Sequence, residues 1–87
     1  MTQIQIQVQV QEDQTLDARG LLCPMPIVKT AKAMKTLEPG QVLKLMSTDR
    51  GSVADVPAWA EGTGNEVLDS HQEGDTFVFL VRKGKVA

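Results

Sequence analysis

Two prolines separated by one residue constrain the start of the first helix more tightly than any other feature of this sequence. Pro24 and Pro26 lack a backbone N–H, and a helix tolerates this only in its first turn, where the N–H groups have no intrahelical partner. The spacing of the apolar side chains that follow predicts a helix over residues 24–37, closed by Glu38-Pro39-Gly40. The apolar set expected on its inner face is Ile27, Val28, Ala31, Met34 and Leu37.

The rest of the chain alternates between strand-like and helix-like patterns. A second helix is predicted at 52–61, and strands are predicted at 15–18, 41–48, 65–72 and 76–83. The last strand is apolar on both faces, which is typical of a central strand. A hairpin turn is predicted just before it, at Glu73-Gly74-Asp75.

The second helix carries its own start signals. Asp49 or Ser52 is expected to cap it, with Asp55 completing an approximate capping box. Pro57 is expected to introduce a bend or an irregular turn. The residues expected on its inner side are Val53, Val56 and Ala60.

This order of elements predicts the α+β class: a two-layer α/β sandwich with two helices on one face of a mixed four-stranded sheet. A chain of 87 residues is long enough for one domain, which is expected to span residues 15–87. Residues 1–14 are expected to form an N-terminal extension, because isoleucines and valines alternate with glutamines there and predict an extra strand. That strand is expected either at an edge of the sheet or paired with a second chain.

Composition excludes several function classes. Aromatic residues make up 3% of the chain and its net charge is -2, which argues against direct binding of nucleic acid. No apolar run approaches the roughly 20 residues that span a membrane, and no secretory signal opens the chain. A single cysteine forms no internal disulfide, so a cytoplasmic location is expected. One cysteine and one histidine do not make a zinc site, and no dinucleotide or phosphate-binding motif indicates a cofactor.

Cys23 is the main candidate for chemistry. It directly precedes the predicted helix, whose N-terminus carries partial positive charge and is expected to lower the pKa of the thiol. Arg19, four residues earlier, is expected to add to this effect if it folds back, and Met25 is expected to lie exposed beside the sulfur as a docking contact. The alternative interpretation is that Cys23 is a small buried apolar residue, although core packing does not account for the two flanking prolines.

No other catalytic group is predicted close to this thiol. His71 lies far along the chain on a predicted strand, so no Cys–His pair is expected, and no second cysteine is present for dithiol chemistry. A single activated sulfur without its own general base suits a carrier that passes sulfur between partner proteins. Those partners would supply the remaining catalytic groups.

Residues 16–29, Leu-Asp-Ala-Arg-Gly-Leu-Leu-Cys-Pro-Met-Pro-Ile-Val-Lys, resemble the signature of the TusA/SirA-like sulfur-carrier family, whose hallmark is Cys-Pro-x-Pro at the start of the first helix. The resemblance extends over residues 15–84. The further matching positions are Pro39-Gly40, Asp49, Asp55-Val56-Pro57-Ala58-Trp59 and Arg82-Lys83. The position just before Asp55, which is often basic in the family, is Ala54 here.

The resemblance implies a two-layer α/β sandwich and a persulfide-carrying cysteine, here Cys23. It implies a sulfur donor, either a cysteine desulfurase or a rhodanese, together with a sulfur-acceptor protein. Pathways of the family include tRNA thiolation, molybdenum-cofactor maturation and the metabolism of sulfur compounds. The protein is expected to be a monomer or a weak dimer without a cofactor or metal.

Several residues are expected to support Cys23 or to have only structural roles. Asp17 is expected to orient the turn before Cys23 or simply to stabilise it, and Lys29 to attract an anion or to lie on a solvated helix face. Arg50 and Asp55 are expected at the same end of the sheet as Cys23, with Arg50 the better candidate for stabilising a persulfide or thiosulfate. Trp59 is expected either to pack inward or to contact a partner. The remaining candidates for supporting roles are Arg19, Pro24, Pro26 and Asp49.

Two other functions remain open. In the first, the domain itself cleaves thiosulfate, with Cys23 as the nucleophile and Arg50 or Lys29 holding the anion. In the second, the domain is a non-catalytic interaction or regulatory module in which the cysteine only packs.

Overall fold

The computed structural model of the chain describes residues 11–84, which form four strands and two helices. The predicted order of elements is confirmed, with bounds shifted by a few residues. The alternating residues of the predicted extra strand, from Ile4 to Val10, lie outside the described residues. The elements are β1 (Gln14–Ala18), α1 (Met25–Met34), β2 (Val42–Ser47), α2 (Ser52–Thr63), β3 (Glu66–Glu73) and β4 (Thr76–Arg82).

The strands form one mixed sheet in the order β1-β2-β4-β3. β1 and β2 are parallel, whereas β2 pairs with β4, and β4 with β3, in antiparallel fashion. β4 is therefore central, as its apolar pattern predicts, and Val78, Phe79 and Val81 are almost fully buried. The parallel pairing of β1 and β2 brings the carboxyl ends of these two strands to the same edge of the sheet.

Both helices pack on one face of the sheet and share a single hydrophobic cluster with it. Alternate residues of the central strands supply the sheet side, with Leu45 opposite Phe79 and Leu43 opposite Val81. The helical layer contributes further side chains to the cluster. They include Met34 at the end of α1, Leu37 in the turns just after it, and Val56 in α2. The predicted two-layer α+β architecture is confirmed.

α1 begins at Met25, with Pro24 as its N-cap, so both prolines lie where a missing N–H is tolerated. The chain continues to Leu37 through turns in which each N–H donates to the carbonyl three residues earlier. The predicted inner face was only partly right, because Val28 is 47% exposed whereas Thr30 is buried. The Thr30 hydroxyl donates to the Pro26 carbonyl at 2.7 Å, which satisfies it in the core.

α2 begins without the predicted capping box. Gly51 occupies the N-cap position and has no side chain to make a cap hydrogen bond, while its own N–H donates to Asp49 Oδ1 at 3.3 Å. Ser52 is instead buried and hydrogen-bonded to Ser47, while Val53, predicted to face inward, is 48% exposed. The helix continues without interruption through Pro57.

Candidate functional site

Cys23 lies in the loop between β1 and α1, and its side chain is exposed. The interpretation that it is a buried apolar residue is therefore wrong. Pro24 fixes the backbone directly after Cys23, and Pro26, the second residue of α1, is buried. The thiol thus projects from a rigid segment at the surface, where another molecule can reach it.

The loop after β2 holds the Cys23 loop in place. The Gly20 N–H donates to the Thr48 hydroxyl at 2.9 Å, and the Cys23 N–H donates to Asp49 Oδ2 at 2.9 Å. Both contacts join segments that leave neighbouring parallel strands at the same edge of the sheet. Asp49, an expected supporting residue, therefore fixes the backbone of Cys23 and does not cap α2 through its side chain.

A second carboxylate contacts the sulfur itself. The Cys23 thiol donates to Asp55 Oδ2 at a Sγ–Oδ2 distance of 3.5 Å. The first turn of α2 places Asp55 there, with Gly51 leaving the space between the two carboxylates open. A Cβ at Gly51 would lie 3.4 Å from Asp49 Oδ2 and 3.6 Å from Asp55 Oδ2.

The two carboxylates shift the pKa of the Cys23 thiol in the direction opposite to the one predicted from the sequence. The hydrogen bond to Asp55 raises the pKa of Cys23 above its ordinary value, and burial and the charges of Asp55 and Asp49 raise it further. The prediction that the helix start lowers this pKa was wrong. The first turn offers the sulfur few donors, because Pro24 and Pro26 have no N–H and the Met25 N–H donates to the Leu22 carbonyl.

Arg19 does not fold back toward the sulfur. Its guanidinium binds Asp17 through two hydrogen bonds, Nε to Oδ1 at 2.9 Å and Nη2 to Oδ2 at 2.8 Å. These bonds lower the pKa of Asp17 to about 2. Asp17 therefore stabilises the turn before Cys23, and the expected contribution of Arg19 to the thiol is not observed.

The remaining predicted residues lie away from the sulfur or in the core. Lys29 is exposed on α1, and Arg50 is exposed beside a shallow cleft that Val53 also lines. Trp59 is half-buried and packs against the hydrophobic cluster, which supports its inward-packing interpretation. His71 lies on β3 with its ring nitrogens bonded to the carboxylates of Asp69 and Glu73.

Two features of the site were not predicted from the sequence. The first is the buried pair of Ser47 and Ser52 hydroxyls, 2.7 Å apart, beneath the loop that carries Asp49. The second is a group of exposed apolar side chains within about one helical turn of Cys23 or Asp55. They are Leu22, Val28 and Val53, and they accompany Met25, whose exposure was predicted.

Within residues 11–84, no cluster of three or more histidine, cysteine or acidic side chains is arranged to hold a metal ion. Neither of the two helices there has the length and apolar character needed to cross a membrane.

Comparison with known proteins places these features in context. The family model described as sulfurtransferase TusA matches residues 14–83. The chain is 49% identical over 71 residues to the sulfur carrier protein TusA of Allochromatium vinosum, covering 82% of this chain and 93% of that protein. It is 47% identical over 75 residues to the putative sulfur carrier protein YrkI of Bacillus subtilis, covering 86% of this chain and 100% of YrkI.

Two further similarities differ in extent. The chain is 55% identical over 69 residues to the putative sulfur carrier protein YrkF of Bacillus subtilis. That match covers 79% of this chain but 37% of YrkF, so the chain spans little more than a third of that relative. The crystal structure of a SirA-like protein from Desulfitobacterium hafniense superposes with a TM-score of 0.72 at 26% identity, covering 83% of this chain and 99% of that one.

Proposed function

This chain belongs to the sulfurtransferase TusA family, and we propose from that premise that it carries sulfane sulfur as a persulfide on Cys23. One observation carries the proposal: the only cysteine of the chain is exposed at the surface, in a loop whose backbone Asp49 and Thr48 hold in place. A thiol that must react with two different proteins has to be both accessible and fixed in position.

Loading proceeds by thiol–persulfide exchange. The Cys23 thiol loses its proton and attacks the outer sulfur of a persulfide on the donor protein. A sulfur–sulfur bond forms on Cys23 as the donor's own sulfur–sulfur bond breaks, and the donor cysteine leaves as a thiolate that takes up a proton. One sulfur atom moves, and no external oxidant or reductant is needed.

Delivery repeats the exchange with the roles changed. A thiolate of the acceptor attacks the outer sulfur of the Cys23 persulfide, and Cys23 departs as a thiolate. Because the chain has one cysteine, no second thiol of the same chain competes to release the sulfur as an internal disulfide forms. This property suits a carrier better than a dithiol oxidoreductase.

Exposed apolar side chains around the thiol support docking of protein partners. Leu22 is 73% exposed, and Met25, Val28 and Val53 are 40–48% exposed. Apolar side chains grouped on the surface of a small domain are typical of protein–protein contacts. The partners in this proposal are a sulfur donor, either a cysteine desulfurase or a rhodanese, and a sulfur-acceptor protein.

Direct cleavage of thiosulfate is less well supported. Thiosulfate is a dianion, whereas the charged side chains that act on the Cys23 thiol are the carboxylates of Asp55 and Asp49. Arg50 and Lys29, the two cations proposed to hold the anion, are exposed, and neither is among the charged groups that shift the pKa of Cys23. The charge around the thiol therefore favours uptake from a protein partner over binding of a free dianion.

The test is intact-mass spectrometry of the unreduced protein after incubation with a sulfur donor. One reaction contains a cysteine desulfurase and cysteine, and the other a rhodanese and thiosulfate. We expect a gain of one sulfur atom that a reductant removes. The Cys23→Ser variant should gain no sulfur and should keep the circular dichroism spectrum of the wild type, because Cys23 contributes nothing to the core.

A relocated thiol provides the matched control. Ser70 is exposed on β3, so the double variant Cys23→Ser, Ser70→Cys retains one surface thiol at another place. We expect this variant to gain no sulfur from either donor. If the wild type gains none from either donor, or if the relocated thiol gains it equally fast, the proposed carrier site is wrong.

A further inference from the structure

The charged side chains that contact Cys23 are negative rather than positive. Asp55 Oδ2 accepts its hydrogen bond, and Asp49 Oδ2 accepts the hydrogen bond of its backbone N–H. Each carboxylate comes from a different part of the fold: Asp49 follows β2, and Asp55 lies in the first turn of α2. Gly51 lies beside both carboxylates, so that a Cβ there would be within van der Waals contact of Asp49 Oδ2 and Asp55 Oδ2.

Among the described residues whose charges act on the Cys23 thiol, none is a cation that would offset these two carboxylates. The groups that shift its ionisation are Asp55 first and then Asp49, and both act in the same direction. Arg19, the nearest basic residue in the Cys23 loop, is bound by both oxygens of Asp17. The thiolate would therefore form beside two like charges, which disfavours it.

We infer that Asp55, with Asp49 beside it, keeps Cys23 as a protonated thiol while the protein is free, so that sulfur uptake waits for a partner that neutralises or displaces Asp55. This inference rests on the proposed carrier function and concerns the regulation of the same site. The thiolate is the form that attacks persulfides and that oxidants modify. A thiol kept protonated at rest is protected from oxidation between transfers although it is exposed.

The expected size of the effect follows from the contact distance. Two unit charges 3.5 Å apart in water shift an ionisation equilibrium roughly sevenfold. Salt screens part of this effect, and a thiolate of lower pKa is intrinsically less nucleophilic. We therefore expect removal of the Asp55 charge to raise the rate of thiol alkylation at neutral pH about two- to threefold at low ionic strength.

The first test compares alkylation rates across pH. Iodoacetamide is neutral, so its rate reports the thiolate fraction without attraction to or repulsion from the site. In the variant Asp55→Asn, the pH midpoint of alkylation should fall and the rate at neutral pH should rise as stated. The control Glu61→Gln removes one exposed negative charge from the same helix and should leave the profile unchanged.

The second test needs no variant that could fail to fold. Wild-type protein is treated separately with cystamine, a cationic disulfide, and with 2-hydroxyethyl disulfide, a neutral one. The cationic reagent brings a charge that offsets the carboxylates, but it also has the more acidic leaving thiol, so the ratio of the two rates is compared with the ratio for free 2-mercaptoethanol, and we expect a larger ratio for Cys23. This preference should be smaller in Asp55→Asn and unchanged in Glu61→Gln.

The inference and the proposed function fail in different ways. An unchanged pH profile in Asp55→Asn, or a ratio of disulfide rates on wild type no larger than that for free 2-mercaptoethanol, would overturn the inference even if a donor loads sulfur on Cys23. Conversely, if no donor loads sulfur on the wild type, the carrier function is refuted whatever the alkylation rates show.

Discussion

The buried hydroxyl pair of Ser47 and Ser52 is expected to couple the stability of the fold to the geometry of the site. Their oxygens lie 2.7 Å apart, joining the end of β2 to the first residue of α2, and both residues are almost fully buried. Ser47 Oγ also accepts the Asp49 N–H at 3.1 Å. The pair therefore supports the loop whose carboxylate holds the backbone of Cys23.

Replacing Ser52 by alanine removes one partner and leaves the buried hydroxyl of Ser47 with one hydrogen bond fewer. A buried polar group that loses its partner costs about 1–3 kcal/mol. In a domain of this size, 1 kcal/mol shifts the melting temperature by about 4–8 °C, so we expect a decrease of roughly 4–24 °C. In the double variant, Ser47→Ala with Ser52→Ala, the two losses should not add, because each single change already breaks the same bond.

The assay is urea unfolding of the wild type, the two single variants and the double variant, analysed as a double-mutant cycle. The coupling free energy should be about 0.5–1.5 kcal/mol, the net contribution of one hydrogen bond. Ser70→Ala, at an exposed serine, should change stability by less than about 0.5 kcal/mol. A double variant whose loss equals the sum of the single losses would show that the two hydroxyls do not act as a unit.

Two other predictions concern glycine and histidine positions. Gly62→Ala should raise the free energy of unfolding by about 0.5–1 kcal/mol, because its helical site has open space. Gly84→Ala should lower it, since the added Cβ would lie 1.7 Å from a backbone oxygen, and thermal melts of both variants test this. His71 bonds to Glu73 and Asp69, which raise its pKa above 6.5. Its stabilising effect should be complete below about pH 6.5 and disappear as the pH rises through the folded-state pKa. An NMR titration of this single histidine should show the raised pKa, and a midpoint at or below its ordinary value would contradict the observed pairing.

The architecture was predictable because it depends on patterns that are local in sequence. The two prolines place the start of α1, and the largely apolar run from Thr76 to Arg82 is typical of a central strand, which β4 is, with β2 on one side and β3 on the other. The Glu73-Gly74-Asp75 turn follows from Gly74, which adopts a positive φ of 63° that glycine tolerates. Each of these signals lies within a few residues of the feature that it predicts.

The inner faces of the helices were less predictable near the site. Periodicity placed Val28 and Val53 in the core, yet both are about half exposed, while Thr30 and Ser52 are buried. A hydrophobic pattern records which side chains are apolar and does not distinguish those that fill the core from those that remain on the surface. The same pattern does not predict that the hydroxyls of Thr30 and Ser52 are buried, because the hydrogen bonds that satisfy them form only in the folded chain.

The ionisation of Cys23 shows where local reasoning stops. The motif identifies the candidate nucleophile, and the sequence correctly placed Asp55 at the same end of the sheet, but Arg50 was the residue expected to act on the sulfur. Asp55 lies 32 residues from Cys23 along the chain, and it reaches the sulfur because the first turn of α2 directs its side chain into the site, whereas Arg50 remains exposed beside another cleft.

Two influences on the ionisation of Cys23 oppose each other. The helix start, which is close in sequence, favours a thiolate, whereas the two carboxylates, which are distant in sequence, favour a protonated thiol. The direct contact at 3.5 Å outweighs the helix start, since two of the first-turn residues have no N–H to offer. The identity of the candidate nucleophile thus follows from the motif, whereas the direction in which its pKa is shifted follows from the β2–α2 segment that folds against it.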